Sequence, residues 1–181
     1  MRIVAGAWKG RTLSAPPGLD TRPTADRVRQ ALFDILLHAP WAGRSFLENS
    51  PVLDLFAGTG ALGLEALSRG AAHATFIEQS RPALVSLRKN IVACGAEDWC
   101  TVLAIDALAI PAGPRFDLVF LDPPYGRGLV ARAMVRLRAT ARVGAGSLIV
   151  AETGRDEPVL ADVQALSARS HGPARITIWR E

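Results

Sequence analysis

Short apolar runs alternate with amphipathic stretches between residues 51 and 152 of this 181-residue chain. The apolar runs have the length of buried strands, and we predict strands at 52–56, 74–78, 101–105, 118–121 and 147–152. Between them, apolar residues recur at helical spacing, which predicts helices at 61–69, 81–94 and 129–141. Repeated strand–helix units predict an α/β fold, in which a mostly parallel sheet carries helices on both faces.

The N-terminal region follows a different pattern. Apolar residues on either side of Lys9 and Gly10 predict a short hairpin. Prolines and a glycine then interrupt regular structure, and a helix is predicted at 24–38, with Thr24 as its N-cap. We therefore divide the chain into an N-terminal arm, residues 1–23, and one domain, residues 24–181.

The C-terminal region lacks a final helix. Two β-like runs, 163–168 and 175–179, are joined by a turn at 170–173. Strands connected so closely must be antiparallel, which predicts a reversed strand at the edge of the sheet.

Composition limits the class of protein. Hydrophobic residues make up 49% of the chain, which favours a globular fold over disorder. No apolar run approaches the ~18–20 residues of a membrane span, and the first residues do not form a signal peptide, so we expect a cytoplasmic protein with no membrane contact. Cys94 and Cys100 have no neighbouring cysteine pair or histidine cluster, and we predict no metal site.

The positive charge is concentrated at the N-terminus. The net charge is +4, and residues 1–30 hold six basic side chains against two acidic ones, whereas the rest of the chain is balanced. Such an excess can neutralise phosphates, although a solvated basic surface would have the same composition.

A glycine-rich segment lies between a predicted strand and a predicted helix. Gly58, Gly60 and Gly63 form a GxGxxG pattern, and Glu78 follows at the end of the next strand, where a carboxylate can accept hydrogen bonds from a ribose. Asp54 argues against a nicotinamide dinucleotide, because an anion would repel a pyrophosphate but attract the ammonium group of S-adenosylmethionine. Asp106 could accept from an adenine amine or simply cap a turn. The candidate cofactor residues are Asp54, Phe56, Ala57, Gly58, Thr59, Gly60, Glu78, Asp106 and Ala107.

The segment Asp122-Pro123-Pro124-Tyr125 follows the strand predicted at 118–121. The Asp122 carboxylate and the Pro123 carbonyl are two acceptors that could hold the hydrogens of an exocyclic base amine. Consecutive prolines restrict the backbone, and Tyr125 offers a ring on which a base can stack. These four residues are the candidate catalytic loop of an amino-methyltransferase.

Over nearly its whole length the chain resembles the bacterial methyltransferase D family, which modifies guanine N2 in 16S ribosomal RNA. The resemblance begins at Arg2-Ile3-Val4-Ala5-Gly6 and Gly10-Arg11 and continues through Arg22-Pro23-Thr24 and Asp26-Arg27-Val28-Arg29. It returns at Asp54 to Gly70 and at Asp122 to Tyr125. It implies a Rossmann-like class I methyltransferase sheet with one antiparallel edge strand, S-adenosylmethionine as cofactor, and 16S rRNA in the assembled or assembling small subunit as partner. We expect a monomer. The candidate RNA-contacting residues are Lys9, Arg11, Arg22, Thr24 and Arg27.

Three alternatives remain open at this point. The Asp122 loop also permits an adenine-N6 methyltransferase on RNA or DNA, because it contacts an amine and not a whole base. The glycine pattern is shared with nicotinamide-dependent oxidoreductases. The same fold could also serve as a non-catalytic RNA-binding module.

Overall fold

The computed structural model describes residues 1–16, 23–160 and 163–181 of the chain, without the side chains of residues 23–25. Within these ranges, one seven-stranded sheet forms the centre of the molecule. Its strands are β1 (Pro51–Asp54), β2 (His73–Ile77), β3 (Cys100–Leu103), β4 (Leu118–Leu121), β5 (Leu148–Gly154), β6 (Ser167–His171) and β7 (Ala174–Arg180).

The sheet has the order β3-β2-β1-β4-β5-β7-β6. Strands β1 to β5 are parallel, and β7 is antiparallel to both of its neighbours, β5 and β6. This confirms the mostly parallel sheet with a reversed strand at one side. The reversed strand itself lies second from the edge, and β6 covers it.

Strand β6 begins and ends later than the run predicted at 163–168. Its side chains are mostly polar and exposed, so backbone pairing with β7 defines this strand, and apolar periodicity does not. Because β6 extends to His171, the turn between β6 and β7 is short. It contains only Gly172 and Pro173, and Gly172 has a φ of 60°, which suits the first position of a two-residue hairpin loop.

Helices cover both faces of the sheet, as predicted. They are α1 (Pro23–His38), α2 (Arg44–Leu47), α3 (Ala61–Ser68), α4 (Arg81–Cys94) and α5 (Leu129–Ala139). The short helix α2 is not predicted, because four residues are too few to show helical spacing. Helix α5 stops two residues before its predicted end, since Ala141 has a φ of 55°, which no α-helix allows.

Alternate strand residues point into two separate cores. Val52, Phe76 and Phe120 pack with helices α1, α3 and α4 on one face. Leu53 and Val119 pack with α5 on the other face. Because side chains alternate along a strand, these fully buried strands must be apolar on both sides, which explains their continuous apolar runs.

The N-terminal residues form the predicted hairpin, and Arg2 pairs with Thr12. Ile3 and Leu13 are buried in the core beside α1, α3 and α4. The buried carboxylate of Glu65 on α3 accepts hydrogen bonds from the backbone N–H groups of Val4, at 2.8 Å, and Ala5, at 3.0 Å. The hairpin is thus fixed along α3.

Among the helices of the described residues, none combines the length and apolar character that crossing a bilayer requires.

Candidate active site

A cavity of about 890 Å³ opens at the carboxyl ends of β1, β2, β4 and β5. Ligands of open α/β sheets bind at this edge, because the loops that leave parallel strands converge there. The volume is within the ~300–1,000 Å³ range of pockets that hold small molecules. The loop after β1 and the loop after β4 form two of its walls.

The loop after β1 has the geometry that its glycines predict. Gly60 caps α3 with a φ of 79°, and a side chain there would also strike Leu87, since an added Cβ would lie 2.4 Å from that residue's Cδ1. Gly63 is equally close to the ring of Phe76, so it allows α3 to pack tightly on β2. Gly58 faces open space and lines the cavity. The glycines therefore shape the loop and leave room for a ligand beside Gly58.

Asp54, the last residue of β1, reaches the cavity but is only 1% exposed. Its Oδ2 atom accepts a hydrogen bond of 3.0 Å from the Gly63 N–H. Burial raises the pKa of Asp54 to about 7, the Gly63 hydrogen bond opposes the rise, and the charge of Glu78 adds to it. A cationic ligand beside this carboxylate would relieve the cost of ionising it.

Glu78 follows β2 and is held by backbone donors. Its Oε2 atom accepts from Gly58 N–H at 2.8 Å, and its Oε1 atom accepts from Gln79 N–H at 2.9 Å and Ser80 N–H at 2.7 Å. These bonds fix the carboxylate on the cavity wall beside the glycine loop. It can accept further hydrogen bonds, because a carboxylate has about four lone-pair sites.

Most of the other predicted cofactor residues line the cavity, but Gly60 and Asp106 do not. Phe56, Ala57, Thr59 and Ala107 line the cavity, whereas Gly60 lies behind it. Asp106 is exposed, and its Oδ1 atom accepts from Leu108 N–H at 2.9 Å, so it caps the single-turn helix Ala107–Ala109.

All four residues from Asp122 to Tyr125 line the cavity, across from the glycine loop. Asp122 is open to solvent through the cavity. Protein atoms crowd its carboxylate on the other sides, and this desolvation raises its pKa, with further contributions from the negative charges of Glu152 and Asp54.

Tyr125 is 42% exposed, and its hydroxyl donates a hydrogen bond to Glu152 Oε1. Burial raises the pKa of this phenol above its usual value, and the hydrogen bond and charge of Glu152 raise it further, followed by the charge of Asp122. The hydroxyl is therefore a donor at neutral pH, and its ring remains partly open to the cavity.

Glu152 is a site residue that sequence reasoning missed. It lies near the end of β5, beside the Asp122 loop, and it lines the cavity. The signal was present, because Glu152 ends an apolar strand run in the same way as Asp54 and Glu78 do. Helix α1 and the β6–β7 hairpin also contribute unpredicted wall residues, which are Val28, Arg29, Leu32, His171, Ala174 and Ile176.

The predicted RNA-contacting residues lie in different places. Arg27 is exposed on α1, next to the wall residue Val28. Arg11 donates to the carbonyl of Ala93, near the end of α4 that is farthest from the cavity residue Ser80. Ala93 follows Ser80 by thirteen residues along α4, a distance of about 20 Å at 1.5 Å per residue.

Lys9 is exposed in the same turn as Arg11, beside Trp8, whose ring lies 6.5 Å from that of Trp99. The tip of the basic hairpin is therefore remote from the cavity. Arg22 and the side chain of Thr24 lie outside the described residues.

The charges around the cavity suit S-adenosylmethionine. Asp54, Glu78, Asp122 and Glu152 place four carboxyl groups on its walls. A pyrophosphate would be repelled, whereas a ligand with a sulfonium and an ammonium group would be attracted. In the described part of the chain, these acids do not form a cluster suited to a metal ion. The sheet order, the glycine loop and this acidic cavity define the class as a Rossmann-like methyltransferase that uses S-adenosylmethionine.

Comparison with known proteins identifies the family. Residues 1–180 match the family described as "Conserved hypothetical protein 95", and the chain belongs to it. Its curated relatives include ribosomal RNA small subunit methyltransferase D of Haemophilus influenzae, 37% identical over 88% of this chain and 82% of the relative. The protein of the same name from Escherichia coli K12 is 40% identical over 84% of this chain and 74% of the relative. The predicted family is thus confirmed.

Solved structures agree with the fold. One from Escherichia coli has a TM-score of 0.84 and 35% identity, and the match covers 100% of this chain and 97% of that one. An RNA methyltransferase of Salinibacter ruber, solved with S-adenosyl-L-homocysteine, has a TM-score of 0.62 over 90% of this chain and 93% of that one. At 16% identity, the second match supports the fold alone.

Proposed function

We propose that this enzyme transfers a methyl group from S-adenosylmethionine to the N2 amine of a guanine in 16S rRNA. The observation that carries the proposal is one cavity in which the loop from Asp122 to Tyr125 lies across from Gly58 and Glu78. The names of the relatives support a small-subunit rRNA as substrate. The resemblance to the methyltransferase D family supports guanine N2.

The glycine loop and its neighbours would hold the cofactor. Glu78 would accept from the ribose hydroxyls, and Asp54 would face the ammonium group, directly or through water. The Ala107 N–H would donate to the adenine ring. Asp106 already caps a turn through Oδ1, which leaves its other oxygen for the adenine amine.

The residues after β4 would prepare the target amine. Its lone pair is delocalised into the base, so it is a poor nucleophile. Asp122 and the Pro123 carbonyl would accept its two hydrogens and favour a geometry in which the lone pair points at the cofactor. The Tyr125 ring would stack on the base, an interaction worth ~1–3 kcal/mol.

The bound cofactor supplies an electrophilic methyl group whose bond to sulfur breaks as the new bond to nitrogen forms, and the sulfur keeps the electron pair. The protein then has to accept or pass on one proton, because the alkylated nitrogen is acidic. Asp122 would receive this proton, and its raised pKa suits that role. Positioning of the target amine against the methyl group would supply the remainder of the rate enhancement.

We further propose that the enzyme acts as a monomer, in the cytoplasm, on an assembled or assembling small subunit. Of the predicted RNA-contacting residues that the structure describes with side chains, Arg27 is the one that lies beside the cavity. Lys9 and Arg11 would contact a phosphate about 20 Å away, which belongs to a nucleotide other than the target. Arg22 and Thr24 remain candidates beside the active site.

Nucleoside mass spectrometry tests the proposal. Small subunits that lack N2-methylguanosine are incubated with the protein and S-adenosylmethionine, and the RNA is then digested. New N2-methylguanosine is the expected product, and Asp122→Ala is the control that should form it more slowly by about 10²-fold or more. N6-methyladenosine would instead assign the enzyme to adenine. Binding of S-adenosylhomocysteine without methylation of subunits, naked rRNA or DNA would contradict the proposal and favour a non-catalytic role.

A further inference from the structure

Glu152 has one oxygen engaged and one oxygen free. Its Oε1 atom accepts from the Tyr125 hydroxyl, and among the described residues no donor reaches Oε2. The side chain is half-buried, lines the cavity and lies close enough to Asp122 to raise that residue's pKa. It therefore presents an oriented, unused acceptor beside the group that would hold the target amine.

We propose that Glu152 selects guanine by accepting a hydrogen bond from the N1–H of the target base. This inference rests on the proposed function, because it assumes that Asp122 holds the N2 amine and Tyr125 stacks on the ring. The Tyr125 hydroxyl fixes the Glu152 carboxylate, so the same tyrosine contacts the base with its ring and orients the selecting group with its hydroxyl.

The donor pattern of the bases gives the physical reason. Guanine carries N1–H directly beside its N2 amine, so two neighbouring donors face the enzyme. Adenine carries an N1 lone pair beside its N6 amine. An ionised carboxylate can only accept, so it attracts guanine N1–H and repels the adenine N1 lone pair. Discrimination of this kind comes as much from rejecting the wrong base as from binding the right one.

Two simpler roles for Glu152 are distinguishable from this one. It could serve only to orient Tyr125, or only to raise the pKa of Asp122. Either role would change the rate of methylation by the same factor for any base that offers a 2-amine. A selecting role changes the ratio between bases that differ at N1.

The experiment therefore compares guanine with 2-aminopurine, which keeps the 2-amine but has a bare acceptor at N1. Small subunits are reconstituted with either base at the methylated position, and kcat/KM is measured on each for the wild type and for Glu152→Gln. The glutamine still accepts from Tyr125 through its oxygen, and its N–H can donate to N1 of 2-aminopurine. Glu97→Gln, the same change at an exposed position in the turn before β3, is the matched control.

We expect Glu152→Gln to lower the preference for guanine over 2-aminopurine by about 10-fold or more, the discrimination that a specific base contact gives. Glu97→Gln should keep the wild-type ratio. Differences in the intrinsic reactivity of the two bases cancel, because both enzymes meet the same substrates.

An unchanged ratio in Glu152→Gln, on guanine subunits that the wild type methylates, would overturn the selecting role and leave the proposed function standing. If Glu152→Gln is too slow to assay, Glu152→Ala is measured, and the same unchanged ratio would overturn the inference. A wild type that binds S-adenosylhomocysteine but methylates neither base would overturn the proposed function, and the inference with it.

Discussion

Asp54→Asn tests the electrostatics of the cavity in the absence of any ligand. The carboxylate of Asp54 is buried beneath the glycine loop, and burial raises its pKa from 3.8 to about 7. Asparagine has nearly the same shape, and its oxygen can still accept from the Gly63 N–H. The substitution therefore removes the ionisation and keeps the packing and the main hydrogen bond.

The direction of the pKa shift decides whether the protein gains or loses stability as the pH rises. Because the folded pKa lies above the unfolded one, the folded state holds its proton more tightly, and the protein loses stability as the pH rises from about 4 to about 7. At 1.36 kcal/mol per pKa unit, the full loss is on the order of 4 kcal/mol. Between pH 5 and pH 8 the wild type should lose about 2–3 kcal/mol relative to Asp54→Asn.

Urea unfolding of both proteins at pH 5, 6, 7 and 8 measures this difference. The buried amide N–H₂ of asparagine adds a cost of about 1–3 kcal/mol that does not depend on pH, so the trend with pH carries the information. Equal slopes against urea concentration in both proteins are the control for an unchanged unfolding reaction. A difference between the two proteins that stays constant within about 0.5 kcal/mol from pH 5 to pH 8 would refute the reasoning.

Further substitutions test the other parts of the site. Asp122→Ala should lower kcat by about 10²-fold or more and leave the binding of S-adenosylhomocysteine unchanged in calorimetry, whereas an unchanged kcat would remove Asp122 from the chemistry. Glu78→Ala should chiefly raise the KM for the cofactor, and a normal KM would exclude the ribose contact. RNA affinity should fall steeply with salt, and Arg27→Ala should reduce the slope of log K against log salt by about 1; an identical slope would place the RNA elsewhere. Gly6→Ala should destabilise the protein more than Gly10→Ala in thermal unfolding, because both glycines have a positive φ but only the first would place a Cβ 1.8 Å from the last carbonyl of α3. Equal losses for the two glycines would show that the contact with α3 relaxes freely.

The parts of the site that were predicted from the sequence are those with a local cause. The glycine loop, Asp54 and Glu78 follow from spacing along one strand–helix–strand unit, and the Asp122 loop is contiguous. In each case the residues that act together are close along the chain, so local backbone geometry determines their relative positions. The two loops also had to meet, because the carboxyl ends of parallel strands share one edge of the sheet.

The remaining features depend on contacts between distant residues. The hydrogen bond between Glu152 on β5 and Tyr125 in the loop after β4 forms only when β5 packs beside β4. The course of the N-terminal hairpin depends on Glu65, more than 50 residues along the chain, which no periodicity links to it. The basic tip of the hairpin, predicted to contact RNA, lies near the far end of α4. A charge count locates an excess along the sequence but not in space.

The reversal of β7 determines which wall of the cavity is open to redesign. Because β7 runs antiparallel to β5, the two-residue turn at Gly172 and Pro173 projects from the same edge as the Asp122 loop. The loops after β1, β2 and β4 each connect a core strand to a core helix, so their lengths are constrained at both ends. A hairpin turn leaves and re-enters adjacent strands, and each doubling of its length costs only about 0.6 kcal/mol in closure entropy. This turn is therefore where a recognition loop could be grafted to direct the enzyme to a different RNA, with the catalytic machinery unaltered.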